Sequence, residues 1–256
     1  MSFLVICAVA LLASALTFFS GFGLGTLLLP AFALFVPIEQ AVALTAIVHL
    51  LNSLFKLLLT GKHADWRVVL RFGLPALVMS FAGAWLLLWL AGGAPLFAYA
   101  PFGRVVSVMP ANFVVGLLLL GFALLEFLPA FRELAFPPKY LPMGGALSGF
   151  FGGLSGMQGA LRSAFLVRAG LSKEGFIATG VVLACVVDLA RLTIYSSLDW
   201  SSVNPNLPLL GAAVFAAFAG AALGNRYLRK MTLPGIQRFV AVLLVAVALG
   251  LMSGLL

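Results

Sequence analysis

A glycine-rich interruption, Ser20-Gly21-Phe22-Gly23-Leu24-Gly25-Thr26, lies in the middle of the apolar run 2–37. A second interruption, Gly152-Gly153-Leu154-Ser155-Gly156-Met157-Gln158-Gly159, divides the apolar run 140–171 in the same way. Both runs are longer than the roughly 20 residues that one membrane-spanning helix requires. We therefore expect each run to bend at its glycines rather than to cross a bilayer once.

The composition predicts that the rest of the chain is also embedded in lipid. Of the 256 residues, 63% are apolar and 9% are charged, whereas a soluble domain has about 25% charged residues. These figures exclude a soluble globular protein, and the high hydrophobicity excludes an intrinsically disordered one. The net charge of +8 lies mostly in short loops, where it sets membrane topology. We therefore predict the lipid bilayer as a partner and no nucleic-acid partner.

Hydropathy predicts eight apolar segments joined by short loops. Their ranges are 2–37, 40–60, 68–90, 105–128, 140–171, 175–197, 207–228 and 233–256. An offset of 135 residues relates Ser20-Gly21 to Ser155-Gly156, and several single residues beyond the glycines share this offset. We therefore predict an all-α, polytopic membrane protein built from two four-segment repeats, residues 1–135 and 136–256, which together form one membrane domain.

The loop cations indicate how segments one and five are arranged. If these segments each cross the membrane once, the loop Lys and Arg residues divide five against six between the two sides. If they are re-entrant hairpins, the division becomes ten against one, and cytoplasmic loops are enriched in Lys and Arg. The hairpin arrangement places both termini outside the cytoplasm and makes the two halves inverted repeats. Inverted repeats with broken helices are typical of secondary transporters.

The two glycine interruptions predict an anion-binding site. After each interruption the chain re-enters a helix, whose first backbone N–H groups lack internal partners and carry the positive end of the helix dipole. Two such N-termini that converge near the bilayer centre would hold a small anion. The predicted binding residues are Ser20, Gly21, Gly23, Gly25, Thr26, Asn52, Ser155, Gly156, Gln158, Gly159 and Arg162.

The alternative is that these glycines only allow helices to pack closely, as small residues often do in membrane proteins. We expect that packing role at four other glycines: Gly145, Gly149, Gly220 and Gly224.

Ionisable residues within the apolar runs are further candidates. Arg162 lies four residues after Gln158, so both side chains point the same way on a helix. An arginine at that depth needs a compensating partner. Asp188 has three alternative roles, as a proton carrier, as a counter-ion for Arg162, or as a partner for Arg191.

His49 lies alone on an apolar segment, where it is either a packed hydrogen-bonding side chain or a proton relay. Asp188 and His49 are therefore the candidates for proton coupling. Lys56 and Arg191 are expected to extend towards opposite membrane faces, with an electrostatic mouth for anions as the alternative. No cluster of His, Cys, Asp or Glu has metal-ligand spacing, and Gly21–Gly25 has the wrong spacing for a dinucleotide fingerprint. We predict no metal and no cofactor.

Two other functions fit part of the sequence. Gly153-Leu154-Ser155-Gly156 is similar to the serine motif of rhomboid intramembrane proteases, which supply a histidine downstream of the serine. This chain has no histidine after His63, so that only His49 could activate the serine, and we predict that the protein is not an enzyme. The other alternative is a passive anion channel, which a flux that never saturates would indicate.

The segment Ser20-Gly21-Phe22-Gly23-Leu24-Gly25-Thr26-Leu27-Leu28-Leu29-Pro30 resembles the N-terminal signature of the TauE/SafE family, the sulfite exporter or toluene-sulfonate-uptake permease group. Gly149–Gly156, together with Gly170–Glu174 and Ala178-Thr179, is similar to the second repeat of that family. The resemblance covers essentially the whole chain. It implies a plasma-membrane transporter of a small sulfur oxyanion such as sulfite, a sulfonate or sulfoacetate. Residues 157–162 depart from the family's glycine-rich second signature, which leaves the choice among these anions open.

Overall fold

A computed structural model describes residues 2–16, 24–100, 103–127, 134–198, 207–227 and 234–256. These ranges are mostly helical, because a helix satisfies its own backbone hydrogen bonds in an apolar environment. The helices are α1 (Ser2–Leu16), α2 (Leu24–Ala33), α3 (Ile38–Thr60), α4 (Trp66–Ala91), α5 (Pro110–Phe127), α6 (Leu141–Ser155), α7 (Gly159–Leu166), α8 (Lys173–Tyr195), α9 (Leu207–Tyr227) and α10 (Pro234–Ser253). Two short 3-10 turns, Gly61–His63 and Pro138–Tyr140, precede α4 and α6.

Each of the two long apolar runs contains two helices. Run 2–37 contains α1 and α2, and run 140–171 contains α6 and α7. Helix α6 ends because Gly156 adopts a left-handed φ of +78° and donates its N–H back into the last turn, a common way to end a helix. The first interruption lies mostly in residues 17–23, outside the described ranges. That each helix pair forms a re-entrant hairpin stays a prediction.

Four of the described helices, α3, α4, α8 and α9, are long and apolar enough to cross a membrane. Helix α4 presents large apolar side chains outward along its length, including Leu74 at 59% and Val78 at 64% exposed. A continuous apolar surface of this kind is typical of a surface that contacts lipid. Trp66 and Trp89 are exposed near opposite ends of α4, where tryptophan anchors a helix at the membrane interfaces.

Each helix contact between the two halves has a counterpart in which the corresponding helices have changed places. Helix α4 packs on α6 while α1 packs on α9, and α3 packs on α8 while α5 packs on α10. Helix α4 also contacts α8, as α9 contacts α3. Two related four-segment halves would produce this pattern of contacts. The repeat and its inversion stay predictions.

Glycines allow the closest of these helix contacts. A β-carbon placed on Gly145 of α6 would lie 2.0 Å from the carbonyl oxygen of Phe72 on α4. A β-carbon placed on Gly220 of α9 would lie 2.1 Å from the carbonyl oxygen of Leu11 on α1. The glycines four residues later on α6 and α9 face the backbone of the same neighbours. The predicted packing role of these four glycines is confirmed.

A β-hairpin that the sequence did not predict precedes α5. Strand β1 (Phe97–Tyr99) pairs antiparallel with β2 (Val106–Val108). In the connecting loop Gly103 has a φ of +78°, a conformation that favours glycine. The predicted fourth segment, 105–128, is therefore shorter in the structure, because α5 begins at Pro110.

Candidate functional site

The centre of the candidate site is the side chain of Asp188, which lies on α8 and is fully buried. Its Oδ2 accepts a hydrogen bond from Nδ1 of His49 on α3 at 2.5 Å. Its Oδ1 accepts two hydrogen bonds from Arg191, from Nε at 3.0 Å and from Nη2 at 2.7 Å. These partners stabilise a carboxylate that burial alone would strongly destabilise. The contact also ties α8 to α3 across 139 positions of sequence.

The side chain of Gln158 connects Asp188 to Arg162. Its Nε2 lies 3.5 Å from Oδ1 of Asp188, and its Oε1 accepts a hydrogen bond from Arg162 Nη1 at 3.0 Å. The predicted common orientation of Gln158 and Arg162 is confirmed. The backbone carbonyl of Gln158 accepts a hydrogen bond from Ser148 Oγ at 3.2 Å, which ties the turn between α6 and α7 to α6. One chain of polar contacts therefore runs from Arg162 through Gln158 and Asp188 to His49.

The two glycine-rich segments meet where Gly25 contacts Gly156, a contact that we call the glycine crossing. A β-carbon placed on Gly25 would lie 2.8 Å from the carbonyl oxygen of Gly156. No side chain at position 25 fits there without movement of the backbone. Helix α2 is described from Leu24 onward, and α7 begins at Gly159. The first turn of α7, whose N–H groups lack internal partners and carry the positive end of the helix dipole, therefore follows closely after the crossing.

Two buried polar atoms beside the glycine crossing have no hydrogen-bond partner within the part of the chain that the structure describes. They are Nη1 of Arg191 and Oγ1 of Thr45. A β-carbon placed on Gly156 would lie 2.8 Å from Arg191 Nη1, and one placed on Gly25 would lie 3.7 Å from the γ-methyl of Thr45. Buried polar atoms without partners are rare in proteins. Each costs about 1–3 kcal/mol, and a charged group costs more.

Positive charge exceeds negative charge around the site. Arg191 is buried and Arg162 is half-buried. Asp188 is the one acidic side chain classed as buried among the described residues. Because a cation inside a membrane protein is costly unless an anion compensates it, this arrangement favours a negatively charged ligand.

The structure brings several of the predicted binding residues into one connected region. These residues are Gly25, Gly156, Gln158, Gly159 and Arg162. Thr26 is buried in α2, immediately after the glycine crossing. The predicted ligands Ser20, Gly21 and Gly23 lie outside the described residues.

Two other predicted binding residues use their polar side chains within the protein. Ser155 Oγ donates a hydrogen bond to the carbonyl oxygen of Phe151 in its own helix at 2.9 Å. Asn52 Oδ1 accepts a hydrogen bond from Ser14 Oγ on α1 at 3.0 Å. Among the described residues, the hydrogen bonds of Ser155 Oγ and His49 Nδ1 go to the Phe151 carbonyl and to Asp188, and none joins the serine to the histidine.

The expectation that Lys56 and Arg191 extend towards the membrane faces is wrong. Arg191 is 0% exposed and Lys56 is 8% exposed. Arg191 stays inside because Asp188, three residues earlier on α8, accepts two of its hydrogen bonds. The spacing of three residues was the one signal in the sequence for this ion pair, and it made pairing with Arg191 one of three alternative roles considered for Asp188. Thr45 was missed altogether, because a single threonine in an apolar helix carries no distinguishing pattern.

Comparison with known proteins assigns the chain to a family. A family model described as Sulfite exporter TauE/SafE matches residues 6–251, which include both glycine interruptions and all of the contacts around Asp188. No curated protein and no solved structure matches the chain. The family match and the long apolar helices agree on a chain that crosses the membrane several times. The protein therefore belongs to the TauE/SafE sulfite exporter family and is a multi-pass membrane transporter.

Proposed function

We propose that the protein is a secondary transporter that moves a small sulfur oxyanion, such as sulfite, a sulfonate or sulfoacetate, across the plasma membrane. Family membership supports the class of substrate. The observation that carries the proposal is the positive charge of Arg191 and Arg162, which face the carboxylate of Asp188, the one acidic side chain classed as buried in the described ranges. A small anion would offset the remaining positive charge.

The proposed anion site lies at the glycine crossing, between the first turns of α2 and α7. Backbone N–H groups at helix N-termini bind anions well, because they lack internal partners and the dipole adds positive potential. Glycine at positions 25 and 156 lets the ligand approach the backbone closely. The half-buried Arg162, oriented by Gln158, supplies a charged hydrogen-bond donor. The proposal includes the ligands that the sequence predicts in the first interruption, Ser20, Gly21 and Gly23.

The proposed architecture consists of two inverted halves, residues 1–135 and 136–256, with re-entrant first segments and both termini outside the cytoplasm. The matching pairs of helix contacts between the two halves support this architecture. Cysteine labelling from each side of the membrane tests it, with single cysteines at positions 1 and 37. We expect both positions to react from the same, non-cytoplasmic side. Labelling from opposite sides would show that the first segment crosses the membrane.

A transporter fits the site better than a passive channel does. Asp188, Arg191 and Thr45 are fully buried, so that an anion reaches them only when the surrounding helices move. A transporter that alternates between two open states needs such an occluded state, whereas a conducting pore exposes its binding groups to water. Saturation of the flux at high anion concentration is therefore expected.

We further propose that the His49–Asp188 pair couples transport to a proton. The pair joins α3 to α8, and Arg191 contacts the same carboxylate. A bound anion beside Arg191 would add negative charge near the pair and favour uptake of a proton there, and the linkage is reciprocal. In proteoliposomes, His49→Gln is expected to abolish uptake driven by a pH gradient while leaving anion exchange intact. Unchanged gradient-driven uptake would remove His49 from the coupling.

Flux measurements in proteoliposomes test the transport function itself. Purified protein is reconstituted with labelled sulfite, taurine or sulfoacetate inside, and saturable efflux of at least one of them is expected. Arg162→Ala should abolish efflux while the amount of reconstituted protein stays normal. Arg168→Ala, which removes an exposed arginine beyond the end of α7, is the matched control and should transport normally. Wild-type flux in Arg162→Ala would remove Arg162 from the site, and no flux of any sulfur oxyanion through the wild-type protein would refute the function.

A further inference from the structure

We infer that the Nη1 edge of Arg191 and the hydroxyl of Thr45 form an oxyanion-binding pair at the glycine crossing, and that the bound anion shares the Arg191 guanidinium with Asp188. Neither residue stands out from the sequence as a ligand. The inference deepens the proposed transport function and rests on it, because it assigns two further binding residues to the same site.

The geometry of Arg191 leaves one nitrogen of its guanidinium, Nη1, without a hydrogen-bond partner in the described part of the chain. Nε and Nη2 donate to Oδ1 of Asp188 at 3.0 and 2.7 Å, so the side facing α8 is occupied. Nη1 points the other way, towards Gly156, and has no hydrogen-bond partner among the described residues. A guanidinium has five N–H donors in a planar fork that matches an oxyanion. Arg191 can therefore hold Asp188 through Nε and Nη2, interact with Tyr195 one turn later on α8, and still offer Nη1 to a second oxyanion.

Thr45, which contacts the crossing on the Gly25 side, has an independent unpaired polar atom. It lies on α3 and is 0% exposed, and its Oγ1 has no hydrogen-bond partner in the described ranges. Threonine hydroxyls in helices usually bond back to a carbonyl of the preceding turn, and Thr193 does so at 2.7 Å from the carbonyl of Ala190. Thr45 does not use this option, and its γ-methyl lies beside Gly25. An oxyanion between Gly25 and Gly156 would supply the missing acceptor.

The glycines explain why the pair is closed in this structure. Gly25 and Gly156 approach more closely than a β-carbon would allow, so that the two segments occupy the space between Thr45 and Arg191. For one anion to contact both donors, Gly25 and Gly156 must therefore separate. In the open arrangement the anion accepts hydrogen bonds from both donors, which have no partner in the closed state. Bound ligand therefore favours the open arrangement.

Thermal unfolding of the purified full-length protein in detergent, titrated with sulfite, taurine and sulfoacetate, tests the inference. A ligand that binds the folded state raises the unfolding temperature with a dependence on concentration that reports Kd. Thr45→Val keeps the shape of the side chain and removes an unpaired hydroxyl. Its unfolding temperature without ligand should equal or exceed that of the wild type, while Kd should rise about tenfold through the loss of a hydrogen bond to a charged group.

Thr179→Val is the matched control, because Thr179 is another fully buried threonine whose Oγ1 accepts a hydrogen bond from the backbone N–H of Asp65 at 2.9 Å. That variant should unfold at a lower temperature but bind the anion with the wild-type Kd. Arg191→Lys keeps the charge that Asp188 needs and lacks the second edge. It should also raise Kd at least about tenfold, since a charge-assisted hydrogen bond is lost.

The outcomes separate this inference from the transport function. If an anion stabilises the wild-type protein and both Thr45→Val and Arg191→Lys bind it with unchanged Kd, the pair is overturned and the transport function stands. If Arg191→Lys does not fold, Thr45→Val alone decides. If no sulfur oxyanion stabilises the wild type and none is transported, the proposed function fails and the inference fails with it.

Discussion

Asp188→Asn is the substitution that most directly probes the buried charges. It keeps the shape of the side chain and removes the negative charge that Arg191 and His49 contact at 2.7 and 2.5 Å. Arg191 is 0% exposed and gains no hydration in exchange. Removal of one partner from a buried ion pair costs about 3–5 kcal/mol, because the other charge is left uncompensated. We expect the free energy of unfolding to fall by about this amount.

The control is the same chemical change at Asp65, which caps α4. Its Oδ1 accepts hydrogen bonds from the backbone N–H groups of Arg67 and Val68 at 2.9 and 3.1 Å, and asparagine caps a helix about as well as aspartate does. Asp65→Asn should therefore unfold close to the wild-type temperature in detergent, while Asp188→Asn unfolds well below it. If the two variants unfold at the same temperature, Asp188 does not compensate Arg191 and the electrostatic reasoning is refuted.

The same variant links stability to the ligand. An oxyanion bound beside Arg191 would restore a negative charge next to the uncompensated guanidinium. Sulfite should therefore raise the unfolding temperature of Asp188→Asn by more than it raises that of the wild type. Equal shifts in the two proteins would indicate that the anion binds away from Arg191.

Two further substitutions test the local packing and a helix cap by thermal unfolding. Gly25→Ala should destabilise the protein by about 1–3 kcal/mol, the usual cost of overpacking, because the added carbon meets the backbone of Gly156. Gly121→Ala is the control, because the added carbon meets nothing within 4 Å. Its effect on the free energy of unfolding should be neutral or a gain of up to about 1 kcal/mol from helix propensity. Equal effects at the two positions would contradict a tight contact between Gly25 and Gly156. Ser172→Ala should lower the free energy of unfolding by about 1 kcal/mol, because Ser172 Oγ caps α8 by accepting a hydrogen bond from the N–H of Gly175 at 3.0 Å. Ser172→Asp should keep the stability of the wild type, since aspartate also caps helices. If Ser172→Asp is as unstable as Ser172→Ala, the capping role is refuted.

The helices were the most predictable part of the fold. Long apolar runs predict helices because the membrane leaves the backbone no other partner, and glycine clusters inside two overlong runs predict their breaks. The exact end of α6 depends on Gly156, which adopts a left-handed conformation. The sequence predicts that the helix ends within a cluster of glycines, but it does not identify which glycine ends it. The hairpin at Phe97–Tyr99 and Val106–Val108 was missed because strands of three residues show no period in hydrophobicity.

The site was predictable where its contacts are local. Gln158 and Arg162 are one helical turn apart, and so are Asp188 and Arg191, so that helical spacing predicted the first pair and offered the second as an alternative. The contact between His49 and Asp188 spans 139 positions of sequence and depends on how α3 packs against α8. A single sequence contains no signal for such a tertiary contact.

An anion site between the two glycine segments can be tested by locating a bound anion in the protein. Crystals soaked in selenite, a heavier analogue of sulfite, would give an anomalous difference peak at each site where the anion is ordered. We expect a peak at the glycine crossing, in contact with Arg191 and with the segments that contain Gly25 and Gly156. Ordered selenite found only at loop cations such as Lys139, with none at the crossing, would contradict this expectation.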